Sequence, residues 1–138
     1  MLHPSVPVVL LALALAGAAP TAAAQTLLDE ETDRLLVEAV TAAVELDLYN
    51  ARCRRDRSGR HADQLNRLLA SRFRTTLVKV QDTLFPERSY RDVQERLQQE
   101  FLERLREAGG CKGAKETGLR NALSDRHQEL MREIDALP

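Results

Sequence analysis

The sequence predicts an all-α fold, an up-down-up-down four-helix bundle with one disulfide, and three observations carry that prediction. Aromatic residues make up 4% of the chain and Trp is absent, which disfavours sandwiches and barrels, whose strands draw on aromatic and β-branched side chains. Leu, Ala, Arg and Glu dominate instead, all good helix formers. Beyond Leu28 the apolar residues recur at three- and four-residue spacing, in runs broken by Ser, Gly and Pro, as in amphipathic helices.

The first helix is expected over residues 29–55. Leu35, Ala39, Val40, Ala43, Leu46, Tyr49 and Cys53 share one broad face. Asp29, Glu30, Glu31 and Asp33 at its start, and Arg52, Arg54 and Arg55 at its end, complement the helix dipole. Ser58-Gly59 stops it. A second helix is expected over residues 62–84, with Leu65, Leu68, Leu69, Phe73, Leu77, Val80 and Leu84 in register and Pro86 closing it. Ser89 with Asp92 three residues on makes a start like a capping box. The third helix then presents Tyr90, Val93, Leu97, Phe101, Leu105 and Ala108, and ends at Gly109-Gly110. The fourth begins near Cys111 and offers Leu119, Ala122, Leu123, Leu130, Ile134 and Leu137, with Gly113 and Gly118 weakening its first turns. Short connections favour antiparallel neighbours, hence the bundle.

Every Lys, Arg, Asp and Glu follows Ala24. The charge-free opening has the layout of a secretory signal peptide: an apolar stretch from Val8 to Ala19, then Ala22-Ala23-Ala24 ahead of a cut before Gln25. Its short n-region holds only His3 and the α-amino group as cations. The apolar stretch is shorter than the ~20 residues a membrane-spanning helix needs, and Pro20 lies near its end. The expected organisation is a signal peptide over 1–24 and one helical bundle domain over 25–138. The expected location is the periplasm or the cell exterior, with no integral membrane span after cleavage.

Export changes how the two cysteines are read, because oxidising compartments preserve disulfides. In an up-down bundle the first helix ends where the fourth begins. Cys53 and Cys111 therefore meet at one end and are expected to bond. Closing a loop of about 59 residues stabilises by about 4 kcal/mol in the chain-entropy account.

Twenty basic residues nearly cancel 21 acidic ones, for a net charge of −1. That balance offers no general attraction to nucleic acid. All the basic residues except Lys79, Lys112 and Lys115 are Arg. The layout is uneven. Arg52, Arg54, Arg55, Arg57, Arg60 and His61 fall at the disulfide end, with Arg104, Arg106, Lys112 and Lys115, while Asp56, Glu103, Glu107 and Glu116 offset part of that charge. Asp29, Glu30, Glu31, Asp33, Asp82, Glu87, Asp92, Glu133 and Asp135 gather at the other end. Dipole complementarity accounts for the first helix, but Lys112 and Lys115 at a helix start oppose the dipole. Free N–H groups and Arg forks nearby would suit an anion. The anion-binding candidates are Arg52, Arg54, Arg55, Arg57, Arg60, Lys112 and Lys115.

No enzyme motif stands out. The haem-attachment motif C-x-x-C-H is absent, and His61 and His127 belong to no metal-binding spacing. The segment Gly109 to Thr117 fails the phosphate-loop spacing and follows a helix rather than a strand. No cofactor or metal is expected. His61-Ala62-Asp63-Gln64-Leu65-Asn66-Arg67 resembles the A-D-x-x-L-N segment of small secreted helical proteins that inhibit lysozyme, although here one residue rather than two separates Asp63 from Leu65. The likeness is confined to residues 61–67 and lacks that family's further cysteines, so no membership follows from it. The expected function is that of an exported, non-enzymatic binding or interaction protein. Its expected partner is an envelope protein or an anionic envelope component, met at the basic end. The alternatives are an envelope chaperone or stress protein, or an inhibitor of a secreted enzyme.

Overall fold

A computed structural model describes residues 2–4, 16–18 and 22–138, with side chains in the helical part from Asp29 onward. The signal peptide expected over 1–24 lies largely outside the described residues. These residues form six α-helices and no strand: α1 (Ala22–Cys53), α2 (Arg60–Phe73), α3 (Leu77–Leu84), α4 (Tyr90–Glu107), α5 (Gly110–Glu116) and α6 (Leu119–Ala136). No helix among the described residues is long and apolar enough to cross a membrane.

The expected count of four is corrected to six, because two of the expected helices are interrupted by local chemistry. α2 ends with Arg74 in the left-handed region at φ 52°, and the Thr75 N–H donates to the Leu69 carbonyl, a Schellman closure. Thr76 is extended, and its hydroxyl accepts from the Lys79 N–H, as an N-cap does. From α2, Asn66 Oδ1 accepts from the Leu77 N–H at 2.8 Å. The second break lies at Thr117-Gly118. Gly118, at φ 71°, leads into α6, and the Thr117 hydroxyl donates back to the Ala114 carbonyl. At the other end of the chain, α1 begins at Ala22 rather than at Asp29.

α1 is the common packing partner, touching α2, α3, α4 and α6, whereas α4 and α6 make no extensive contact with each other. Its middle is buried on more than the one face expected. Ala39, Val40, Ala42, Ala43, Val44 and Leu46 are all covered, because a helix apolar around most of its circumference must be enclosed. Its alanines let neighbouring helices approach closely. One part of the core gathers Leu36, Val40, Leu65, Leu69, Phe85, Leu97, Leu130 and Ile134. A second gathers Leu46, Tyr49, Phe101, Leu105, Ala114, Leu119 and Leu123 against Cys53 and Cys111. Each fully buried Leu or Phe contributes about 1.5–3 kcal/mol. On α6 the buried stripe is Leu119, Leu123, His127, Leu130 and Ile134. His127 thus stands at a core position, while Ala122 is exposed and Leu137 half-buried.

Helix starts are capped from neighbouring helices. Gly59 precedes α2 without a side-chain cap, and Asp47 of α1 supplies one. Its Oδ1 accepts from the His61 N–H at 3.2 Å and its Oδ2 from the Ala62 N–H at 2.8 Å. At α4, Ser89 accepts from the Asp92 N–H as the sequence predicts, and Asp82 of α3 accepts from the Tyr90 N–H.

Candidate functional site: a basic groove over the disulfide

Cys53, the last residue of α1, is bonded to Cys111 in α5, with Cα atoms 5.4 Å apart. α5 owes its position to Gly113. A Cβ built there would fall 1.8 Å from the Ala108 carbonyl oxygen, so only glycine lets the short helix lie this close to the end of α4. The buried Ala114 then seats α5 on the second core.

Over this bond lies a groove of about 650 Å³ lined by Arg54, Lys112, Lys115, Arg120 and Asn121, with Tyr49, Ala114 and the disulfide as its apolar part. No carboxylate lines it. The four cations come from three elements: Arg54 follows α1, Lys112 and Lys115 lie on α5, and Arg120 opens α6. Among the described residues, none of the four takes part in an ion pair. The Nε of Arg120 is buried without a hydrogen-bond acceptor among those residues. Leaving a buried donor unmet costs about 1–3 kcal/mol. The groove's size lies in the range of small-ligand sites, about 300–1,000 Å³.

Arg54, Lys112 and Lys115, expected as anion-binding residues, are brought together here. The other four are not. Arg52 lines a separate groove with Leu102, Arg106 and Gly109. Arg57 lines one with Asp47 and Gln94. Arg60 stands between α2 and α6, 3.8 Å from Asp56. Arg55 is the left-handed residue after α1, at φ 55°, where the Asp56 N–H reaches back to the Asn50 carbonyl. That makes it a chain-reversal residue. Lys115 also lies in the last turn of α5, not at a helix start, so the expected conflict with the dipole does not arise for it.

Other expected members of the basic end are neutralised. Arg104 pairs with Glu45 at 3.6 Å and Arg106 with Glu103 at 3.5 Å. Burial raises the Glu45 carboxyl above its usual range against the pull of Arg104 and Arg126, with Glu100 adding to the rise.

Arg120 is the residue that sequence periodicity missed. On a continuous helix it would stand five residues past Lys115, about 140° around the axis. The break at Gly118 restarts the helix and returns Arg120 to the groove. The signal available was Gly118 itself. Among the described residues, no group of three or more His, Cys, Asp or Glu could hold a metal ion. Compared with known proteins, the chain matches no family model, no curated protein and no solved structure.

Proposed function

We propose that the protein is an exported, non-enzymatic binding module that engages an anionic group of an envelope partner through Arg54, Lys112, Lys115 and Arg120. The observation that carries this reading is that Arg54, Lys112, Lys115 and Arg120, none in an ion pair among the described residues, line one groove free of carboxylates. A phosphate or carboxylate oxygen there would accept from these guanidinium and ammonium groups in charge-assisted hydrogen bonds. The chemistry fits a phosphorylated or carboxylated envelope component, or an acidic protein face. The charge-free opening supports export as a signal peptide cut after Ala24. The disulfide fits an oxidising compartment. In the same reading the chain follows an up-down-up-down course, with α2–α3 and α5–α6 each serving as one broken arm.

The test is binding of the disulfide-bonded protein to anionic phospholipid vesicles and to poly-glutamate, against zwitterionic vesicles. Combined Arg54→Ser, Lys115→Ser and Arg120→Ser substitution is expected to weaken anionic binding by about tenfold or more per cation removed. Combined Arg55→Gly and Arg57→Ser substitution removes charge outside the groove and is expected to retain binding. Equal loss in both variants, or no binding by the unaltered protein to either anionic probe, overturns the reading.

A further inference from the structure

A second polar groove, of about 460 Å³, lies between α2 and α6. Arg60 and His61 reach it from α2, and Ser124, His127, Gln128 and Arg132 from α6. At its base is a histidine where a helix of this kind carries leucine. His127 is 4% exposed, and among the described residues its ring makes no hydrogen bond. It stands edge-on to the His61 ring, with centroids 5.1 Å apart and planes at 82°.

His61 is held from behind. Its Nδ1 lies 2.7 Å from Asp47 Oδ1. A carboxylate can only accept, so the Nδ1 of His61 carries the proton and its Nε2 is left for other partners. The two Asp47 oxygens are already committed to that ring and to the N–H groups of His61 and Ala62. No carboxylate lines the groove itself. Arg132 has no ion pair among the described residues, and the contact of Arg60 with Asp56 is long and solvated. The groove therefore converges guanidinium, imidazole, hydroxyl and amide donors on a space without an acidic acceptor.

We propose that this groove binds a tetrahedral oxyanion of the sulfate or phosphate type, and that binding takes up a proton on His127. The charged or titratable groups facing His127 are Asp47 from α1, Arg60 and His61 from α2, and Arg132 on its own helix. A proton on His127 opposes three of these four, and burial disfavours it further. Burial first, and His61 second, hold the imidazole below the usual histidine range, with Asp47 pulling the other way. An oxyanion seated between the rings and Arg132 supplies the missing countercharge, so anion and proton bind together. The disulfide groove differs in kind. Its cations are Arg and Lys, and no histidine lines it.

Sulfate is the clean probe, because it keeps its charge over that range and any pH dependence belongs to the protein. Sulfate titrations of the disulfide-bonded protein, followed by the histidine ring proton resonances, are expected to give saturable shifts for His61 and His127. The apparent pKa of His127 is expected to rise. Affinity should tighten on acidification by up to about tenfold per pH unit for each proton taken up. Arg132 is exposed, so Arg132→Gln leaves the fold intact and is expected to weaken the sulfate response several-fold. Combined Arg54→Ser, Lys115→Ser and Arg120→Ser substitution is expected to leave the response unchanged, which separates this site from the disulfide groove. The proposal is overturned if chloride at equal ionic strength reproduces the shifts, if sulfate leaves both imidazoles unmoved, or if Arg132→Gln responds like the unaltered protein.

Discussion

Asp47 Oδ1 lies 2.7 Å from His61 Nδ1, and the same carboxylate accepts the His61 and Ala62 backbone N–H groups, so one α1 side chain serves as the missing cap of α2. A good N-cap contributes about 1 kcal/mol, and the added ring contact should bring Asp47→Ala to a loss of about 2 kcal/mol. Asp47→Asn keeps an oxygen acceptor and should lose less. Urea unfolding measures both. An Asp47→Ala midpoint equal to that of the unaltered protein would show that the clasp is not stabilising.

The direction of the pH dependence follows from His127. Its folded-state proton affinity is depressed by burial and by His61. Such a group contributes stability that is present above its unfolded value of 6.5 and is lost as pH falls through its lower folded value. Glu45, raised by burial, works the other way: its contribution is present below 4.5 and is lost as pH rises through the folded value. Between about pH 7 and 5.5, the His127 contribution to unfolding free energy in salt without oxyanions should therefore fall, by at most about 1.4 kcal/mol per pH unit, and any rise from Glu45 opposes it. His127→Gln should flatten that slope. A slope that persists unchanged in this variant would assign it to another group.

Reducing the Cys53–Cys111 bond opens a link across 58 residues of sequence. The expected loss is about 2–5 kcal/mol. Since Cys53 ends α1 and Cys111 sits in α5, reduction should release α5 first. Hydrogen exchange should therefore accelerate in α5 before it does in the middle of α1. Uniform acceleration throughout the chain would contradict this.

Two backbone positions should respond in opposite directions. Gly113→Ala places a Cβ 1.8 Å from the Ala108 carbonyl oxygen, a clash with backbone that no rotamer can relieve. A loss of about 3 kcal/mol or more is expected. Arg55→Gly relieves a left-handed residue at φ 55° and should stabilise by up to about 1 kcal/mol. Thermal melts of the two variants check the pair. A stabilised Gly113→Ala would mean that α5 is not held against α4 as described.

Gln81 is fully buried on α3, and neither amide atom has a partner among the described residues. Gln81→Met keeps the shape and removes the unmet polar atoms, with an expected gain of about 1 kcal/mol. A loss of stability instead would show that the amide is satisfied.

The amino-acid sequence by itself determined the helical class, the helix start at Ser89, and the pairing of Cys53 with Cys111. These follow from local periodicity, cap chemistry and the fact that only two cysteines exist. It also marked Arg54, Lys112 and Lys115 as candidates, because charge is visible without coordinates. Tertiary structure decided the rest. Whether residues 74–76 interrupt a helix depends on Asn66 and Thr76 satisfying the freed N–H groups of Leu77 and Lys79, and Asn66 acts from the preceding helix. Arg120 joins the groove only because Gly118 restarts α6. His127 appeared in the sequence as an isolated histidine, yet steps of four, four, three and four residues run through it along the Leu119–Ile134 stripe. Its meeting with Asp47 and His61 required three helices to pack. Spacing reports which residues share a face of one helix, and only packing reports which faces share a groove.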